Sequence, residues 1–167
     1  MDLPHRKLAE PSHAHEQAFI KENDETLDEL PDRPVSPNPN FVTAEGLAAI
    51  EAQLARLQQD YARAQGASDR AALVALSREL RYWIARKASA QVVATPVNPT
   101  NVQFGSTVTI LRDEGPRQSY RIVGEDEADP AKGKISYVSP VARALMGRQV
   151  GHIVRVGNSD LELIAIS

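Results

Sequence analysis

I-V-G-E-D-E-A-D-P-A-K-G-K-I-S-Y-V-S-P-V-A-R-A-L-M-G, residues Ile122 to Gly147, packs a strand, an acidic loop, a second strand and a capped helix into one short stretch. Ile122 and Val123 close a β-like run, and Gly124 breaks it. Glu125, Asp126, Glu127 and Asp129 crowd a loop that Pro130 and Gly133 keep irregular. Ile135, Tyr137 and Val138 resume an apolar run. Ser139 is a helix N-cap, with Pro140 at the first helical position, where a missing N–H costs nothing. Ala142, Arg143, Ala144, Leu145 and Met146 favour helix, and Gly147 suits the left-handed position that ends it.

Outward from this stretch the pattern stays β-rich. Val102 to Leu111 predicts a strand with Val108 and Ile110 on one face. Asp113-Glu114-Gly115-Pro116 predicts a turn, and Ser119 to Val123 an antiparallel return. Beyond the helix, Val150 to Val156 and Leu161 to Ile166 form a hairpin across Gly157-Asn158-Ser159-Asp160, with its register open. The expectation is an α+β unit, a mostly antiparallel β domain with one short helix, over residues 102–167. Ala94 to Asn101, with Pro96 and Pro99, is its linker.

Upstream the period changes from two to three and a half. Leu47, Ile50, Leu54, Leu57, Tyr61 and Ala64 make a heptad seam that Thr43 caps and Glu45 supports in the first turn. Gly66 should stop this helix, and Ser68 or Asp69 should cap the next. Leu73, Leu76, Leu80 and Trp83 repeat the seam until Lys87 falls on it, where pairing should weaken. Joined by a short turn, the two helices are antiparallel neighbours, each arm roughly 30 Å long. Residues 41–93 are therefore an N-terminal antiparallel helical hairpin, a coiled coil.

Charge sets residues 1–40 apart: they hold four Lys/Arg and nine Asp/Glu, with Pro31, Pro34, Pro37 and Pro39 near their end. The expectation is an acidic, Pro-rich flexible tail, with Phe19, Ile20, Leu27 and Leu30 available to dock on the protein's own body or a partner. His5, His13 and His15 in that tail are ordinary polar residues in the simpler reading. The net charge of −3 points to neither free nucleic acid nor a membrane surface as partner. Without cysteines there is no disulfide, and with neither an apolar leader nor a spanning run the expected location is cytoplasmic. His152 has no second His or Cys nearby, and neither Ser136 nor Ser139 has a His at motif spacing. No catalytic residue, metal ligand set or cofactor is expected, and the chain is not expected to be an enzyme. The acidic loop does not follow EF-hand spacing. The arginines of the hairpin read as a solvated helix surface or as a face for RNA or acidic walls.

Several ordered blocks carry a family resemblance: F-G-S-T-V-T at 104–109, S-Y-R-I-V at 119–123, V-G-E-D-E-A-D at 123–129, G-K-I-S at 133–136 and S-P-V-A-R-A-L-M-G at 139–147. They resemble the C-terminal domain of the GreA/GreB transcription elongation factors. T-A-E-G-L at 43–47 and A-Q-V-V at 90–93 resemble the family's entry to and exit from its coiled coil. The resemblance implies an FKBP-like fold for the C-terminal domain, without implying prolyl isomerase activity. It also implies RNA polymerase as the partner, with the hairpin entering the secondary channel. RNA and DNA would be met only through the polymerase complex. The C-terminal domain would grip the channel rim with Ser139, Pro140, Val141 and Ala142, and with Asp129 nearby.

In the family, two carboxylates at the hairpin tip help hold a second Mg²⁺ and promote cleavage of backtracked RNA. The tip of this chain departs from that pattern. Gly66, Ala67, Ser68, Asp69 and Arg70 supply a single acid, and the nearest others are Asp60 and Glu79. Glu79 lies ten residues on, roughly 15 Å along the helix, too far to share an ion. The expectation is a polymerase-binding factor that modulates elongation without the cleavage-stimulating tip. The short hairpin is also similar to that of the Rnk family, so one alternative is a channel-blocking regulator that competes with true Gre factors. Another is an interaction module that dimerises through the hairpin and does not bind polymerase.

Overall fold

The hairpin and the sheet domain are both present, joined through a small second sheet. The computed structural model describes residues 31–113 and 115–167. Phe19, Ile20, Leu27, Leu30 and the three tail histidines lie outside the described residues. Strand β1 (Phe41–Val42) leads into helix α1 (Ala44–Gly66), α2 (Arg70–Ser89) and strand β2 (Gln91–Val92). Then follow β3 (Thr107–Arg112), β4 (Arg117–Val123), a 3₁₀ turn (Pro130–Lys132), β5 (Lys134–Ser136), α3 (Pro140–Leu145), β6 (Ile153–Val156) and β7 (Ser159–Ile166). Among the described residues, no helix is long and apolar enough to cross a membrane.

The α1–α2 seam follows the heptad reading. Ile50, Leu54, Leu57 and Ala64 are buried, and Leu73, Leu76, Leu80 and Trp83 are half-buried opposite them. A two-helix hairpin offers each helix only one covered face, so none of the α2 leucines is fully enclosed. Thr43 caps α1 as expected, its hydroxyl accepting from the Gly46 N–H at 2.9 Å. Two positions differ from expectation. Gly66 stays helical, and Ser68, at φ 53°, supplies the left-handed residue that ends the helix. Its N–H donates to Gln65 O at 3.1 Å and the Asp69 N–H to Ala64 O at 2.9 Å, the paired bonds of a Schellman turn. Lys87 leaves the seam and pairs with Glu51 at 3.1 Å, both half-exposed. Arg86 takes the inward place beside it.

The sheet order is β5-β4-β3-β7-β6. Three of its pairings are antiparallel, and β4–β5 is parallel. This is the expected mostly antiparallel α+β domain with one short helix. Val108, Ile110, Ile122, Leu161 and Leu163 are fully buried under α3, which contributes Ala142 and Leu145. The first strand starts later than its hydrophobicity suggested, because Val102 serves α3 instead. Val102 N–H donates to Arg148 O at 2.8 Å, and Val102 O accepts from Gly147 N–H at 2.9 Å. Gly147, at φ 77°, takes the left-handed place assigned to it. The last hairpin turns on Gly157-Asn158 alone, with Val156 opposite Ser159 and Val154 opposite Leu161. Gly157, at φ 61°, stands first in that two-residue loop, where a hairpin's twist requires positive φ.

A left-handed conformation costs an L-residue with a Cβ roughly 1–2 kcal/mol. Ser68→Gly is therefore expected to raise stability by about 1 kcal/mol, read as a higher urea midpoint with unchanged slope.

Candidate functional site

At the far end of the hairpin, the Asp69 carboxylate caps α2, accepting from the Ala72 N–H at 3.0 Å. The next acids face away into ion pairs of their own. Asp60 pairs with Arg63 one turn along α1, and Glu79 with Arg33 at 3.0 Å. Gly66, Ala67, Ser68, Asp69 and Arg70 are all exposed. The tip thus presents a tight helical turn and one carboxylate already engaged with its own helix.

At the sheet domain's edge, Ser139 caps α3, its hydroxyl accepting from the Ala142 N–H at 3.3 Å. Pro140 is exposed, and Val141 is half-buried against the core. Ala142 has no exposed surface, so its side chain belongs to the core rather than to a partner-facing surface. Asp129 stands at the other end of β5. Its backbone exchanges hydrogen bonds with Lys134 at 2.9 and 3.0 Å. Its carboxyl pairs with Lys132 at 3.1 Å, and that hydrogen bond holds it below the usual carboxylate range. The helix group and Asp129 therefore flank a three-residue strand rather than forming one cluster.

Between these two ends lies a joint that the sequence reading missed. Arg86 is 1% exposed. Its Nε donates to Asp126 at 2.5 Å, and its Nη2 to the Asn40 side-chain oxygen at 2.6 Å. Asn40 donates in turn to Arg86 O at 2.7 Å. The Tyr82 hydroxyl donates to the second Asp126 oxygen at 2.6 Å. Burial first, and Asp126 second, push the Tyr82 phenol up to about 12. Glu127 accepts from the Thr43 hydroxyl at 2.5 Å and from Lys134 at 3.0 Å, which sets a carboxylate at the positive end of α1. Glu125 accepts from Ser36 at 3.0 Å and Asn38 at 3.3 Å. The acidic loop is thus the seat into which the base of the hairpin docks.

Packing closes the same joint. Phe41, Phe104 and Tyr137 form a ring trio with centroids 5.4 to 6.1 Å apart. Tyr137 also donates to Pro39 O at 2.5 Å. β1 and β2 pair in parallel, Phe41 opposite Gln91 and Val42 opposite Val92. A Cβ on Gly124 would stand 2.4 Å from Phe41 O, and one on Gly46 would stand 2.6 Å from Glu127 Oε2. The two glycines were available as signals, because neither a helix's first turn nor a strand's end otherwise requires one. Residues 32–40, within the segment expected to be a tail, pack along α2. The Arg33 guanidinium lies 3.7 Å from the Tyr82 ring centre, and Asp32 pairs with Arg81 at 2.7 Å. An open cleft of about 610 Å³ remains between this lead-in, Tyr82, Trp83 and the acidic loop.

Comparison with known proteins follows the same division. Residues 97–165 match the family profile described as "Transcription elongation factor, GreA/GreB, C-term". The transcription elongation factor GreA of Maricaulis maris is 32% identical over 150 residues, covering 75% of this chain and 96% of that protein. GreA of Methylobacterium nodulans is 34% identical over 150 residues, covering 75% and 95%. GreA of Helicobacter pylori is 45% identical over 85 residues, covering 47% and 52%. Among solved structures, GreA factor homolog 1 of Thermus thermophilus is 21% identical, covers 78% of this chain and 99% of its own, and has a TM-score of 0.36.

At the joint, Gly124→Ala is expected to cost about 1–3 kcal/mol, because the atom in the way is backbone and cannot rotate aside; chemical denaturation reads this. Tyr82 should ionise near pH 12 in the folded protein. Its folded value stands above that of an unfolded tyrosine, near 10. The stability from the neutral phenol is therefore whole below about pH 10 and is lost as pH rises through the folded value. Asp126→Asn removes the facing charge and should lower the Tyr82 midpoint in an ultraviolet titration.

Proposed function

The chain belongs to the GreA/GreB family of transcription elongation factors, and on that premise we propose that it binds RNA polymerase at the secondary channel and modulates elongation without stimulating RNA cleavage. In this reading it is not itself an enzyme. The hairpin, residues 41–93, is the probe. The domain at 102–167, after the linker at 94–101, holds the rim through Asp129, Ser139, Pro140 and Val141. RNA and DNA are approached only through the polymerase.

The observation that carries the second half of the proposal is the tip. Asp69 caps its own helix, and Asp60 and Glu79 are each held in an ion pair away from it. A second Mg²⁺ needs converging oxygen ligands close to the metal, and the α2 helical rise puts Glu79 roughly 15 Å from Asp69. The length of the hairpin supports the same reading. α1 has 23 residues and α2 has 20, arms of roughly 30–35 Å. The 150-position alignment with the Maricaulis maris protein takes in 75% of this 167-residue chain, about 125 residues, so about 25 positions of that relative have no counterpart here. A shorter probe with one engaged carboxylate favours occupancy of the channel over chemistry within it, which is also how a channel-blocking regulator would act.

Purified, backtracked elongation complexes test this directly. RNA cleavage is followed with this protein, with Asp69→Ala and with a Gre factor that has both tip acids. Neither form of this protein is expected to accelerate cleavage, and both should compete with the intact factor. Acceleration by the wild type that is lost in Asp69→Ala would show that one tip carboxylate suffices. Failure to retain polymerase subunits in a pull-down would leave the dimerising module as the better account.

A further inference from the structure

The sheet ends in two edge strands, β5 and β6. The proposed rim contacts flank β5, and β6 carries none of them. The last hairpin turns on two residues, so its closing pair, Val156 and Ser159, is hydrogen-bonded and the bonding alternates from there. Val154 is therefore bonded to Leu161, while the N–H and C=O groups of Ile153 and Arg155 point off the edge. The far end keeps the same alternation: Leu163 N–H donates to His152 O at 2.9 Å, and Gly151 N–H to Leu163 O at 2.8 Å. A row of outward backbone groups is the feature to which a further strand adds.

The side chains say which strand fits. Val154 faces the core, so Ile153 and Arg155 stand on the opposite face of the sheet, and Ile153 is 66% exposed. Ile153 lies opposite Glu162, which lies opposite Leu111 on β3. With Asp113 and Asp160 these residues line an open groove of about 270 Å³. Two aliphatic side chains among three carboxylates suit the stem and head of an arginine. Arg155 has only a loose pair of its own, 3.9 Å from Asp160 with both side chains largely exposed. One strand thus carries an acid-lined apolar groove and, two residues on, the arginine that would fill it, the self-complementarity of a twofold contact. We propose that β6 pairs antiparallel with β6 of a second copy of this chain, about a twofold axis at Val154, with Ile153 of each copy opposite Arg155 of the other. Other registers fit less well. Ile153 against its own copy would set Arg155 against Gly151, whose N–H already serves Leu163. Arg155 against its own copy would oppose like charges. The Val154-centred register makes four backbone hydrogen bonds, and it carries each Arg155 over the other copy's Ile153 toward Glu162. A charge on an edge strand ordinarily deters pairing; here the facing acids receive it. Both β5 edges stay free, so the inference does not depend on polymerase binding.

So short an edge covers less than the roughly 1,200 Å² of a standard interface, and the dimer is of the weak, reversible kind. Sedimentation velocity on the full-length protein, from about 10 µM to about 1 mM, should show monomer giving way to dimer. Amide hydrogen exchange reads the same event without a substitution. Exchange at Ile153 and Arg155 should slow as concentration rises, about tenfold where nine-tenths of the protein is dimer, while Val154 and Val156, bonded to β7, stay unchanged. Arg155→Pro removes an outward N–H and leaves the β7 pairing intact, since an edge strand tolerates proline there. It should abolish the dimer with no change in the far-ultraviolet circular dichroism spectrum. Arg155→Glu should weaken association at least about tenfold, and adding Glu162→Arg should restore it. A chain that stays monomeric at the highest concentration would overturn the inference, as would exchange at Ile153 and Arg155 that ignores concentration. A dimer indifferent to both Arg155 variants, or one that the reversed pair does not restore, would place the contact elsewhere and overturn it too.

Discussion

An arginine with 1% of its surface exposed cannot be left without partners, and most of the architecture satisfies this one. Arg86 draws a carboxylate from the acidic loop and an amide from the lead-in, while the Tyr82 hydroxyl donates to the same carboxylate. Three separate parts of the chain must converge before the charge is paired. Removing one partner leaves the other buried and uncompensated, a loss of roughly 3–5 kcal/mol. Replacing the whole group with apolar side chains would cost far less, so the pair says more about geometry than about stability. What it fixes is the angle at which a long lever leaves the sheet domain.

The acidic loop changes meaning in that light. Four acids in five residues suggest solvent, a cation or a basic partner. Here each has an internal destination: Ser36 and Asn38 for Glu125, Arg86 for Asp126, Thr43 and Lys134 for Glu127, and Lys132 for Asp129. The Glu127 carboxylate also meets the first turn of α1, where unpaired N–H groups carry partial positive charge. Gly46 has no side chain because that carboxylate occupies the space.

What was legible in the sequence was local. The heptad seam, the Thr43 and Ser139 caps and the Gly147 terminator each depend on neighbours within a turn and were read correctly, and the strands were read in kind, with β3 and β6 starting several residues later than expected. The left-handed stop of α1 was misplaced by two residues, since the Schellman bonds set Ser68 at that place even though a glycine stood nearby. The joint was not legible, because it consists of contacts between residues 40 to 98 positions apart that no periodicity marks. Arg86 looked like one more surface arginine, and two-residue strands such as β1 and β2 fall below any pattern a sequence can show. The candidate site divides in the same way. The single tip acid was visible in the letters, whereas the inward direction of Ala142 required the packed core.

The parallel pairing of Phe41 with Gln91 brings the two ends of the hairpin together at one doorway. Everything between those residues is a closed excursion, held at its base and along the near part of α2 by the lead-in. Whole heptads can therefore be added or removed at the distal end, each changing the reach by roughly 10 Å, with the seam kept in phase and the joint undisturbed. Such a molecule is a ruler with a fixed handle. Its reach can be reset by length alone, independently of how the handle is held.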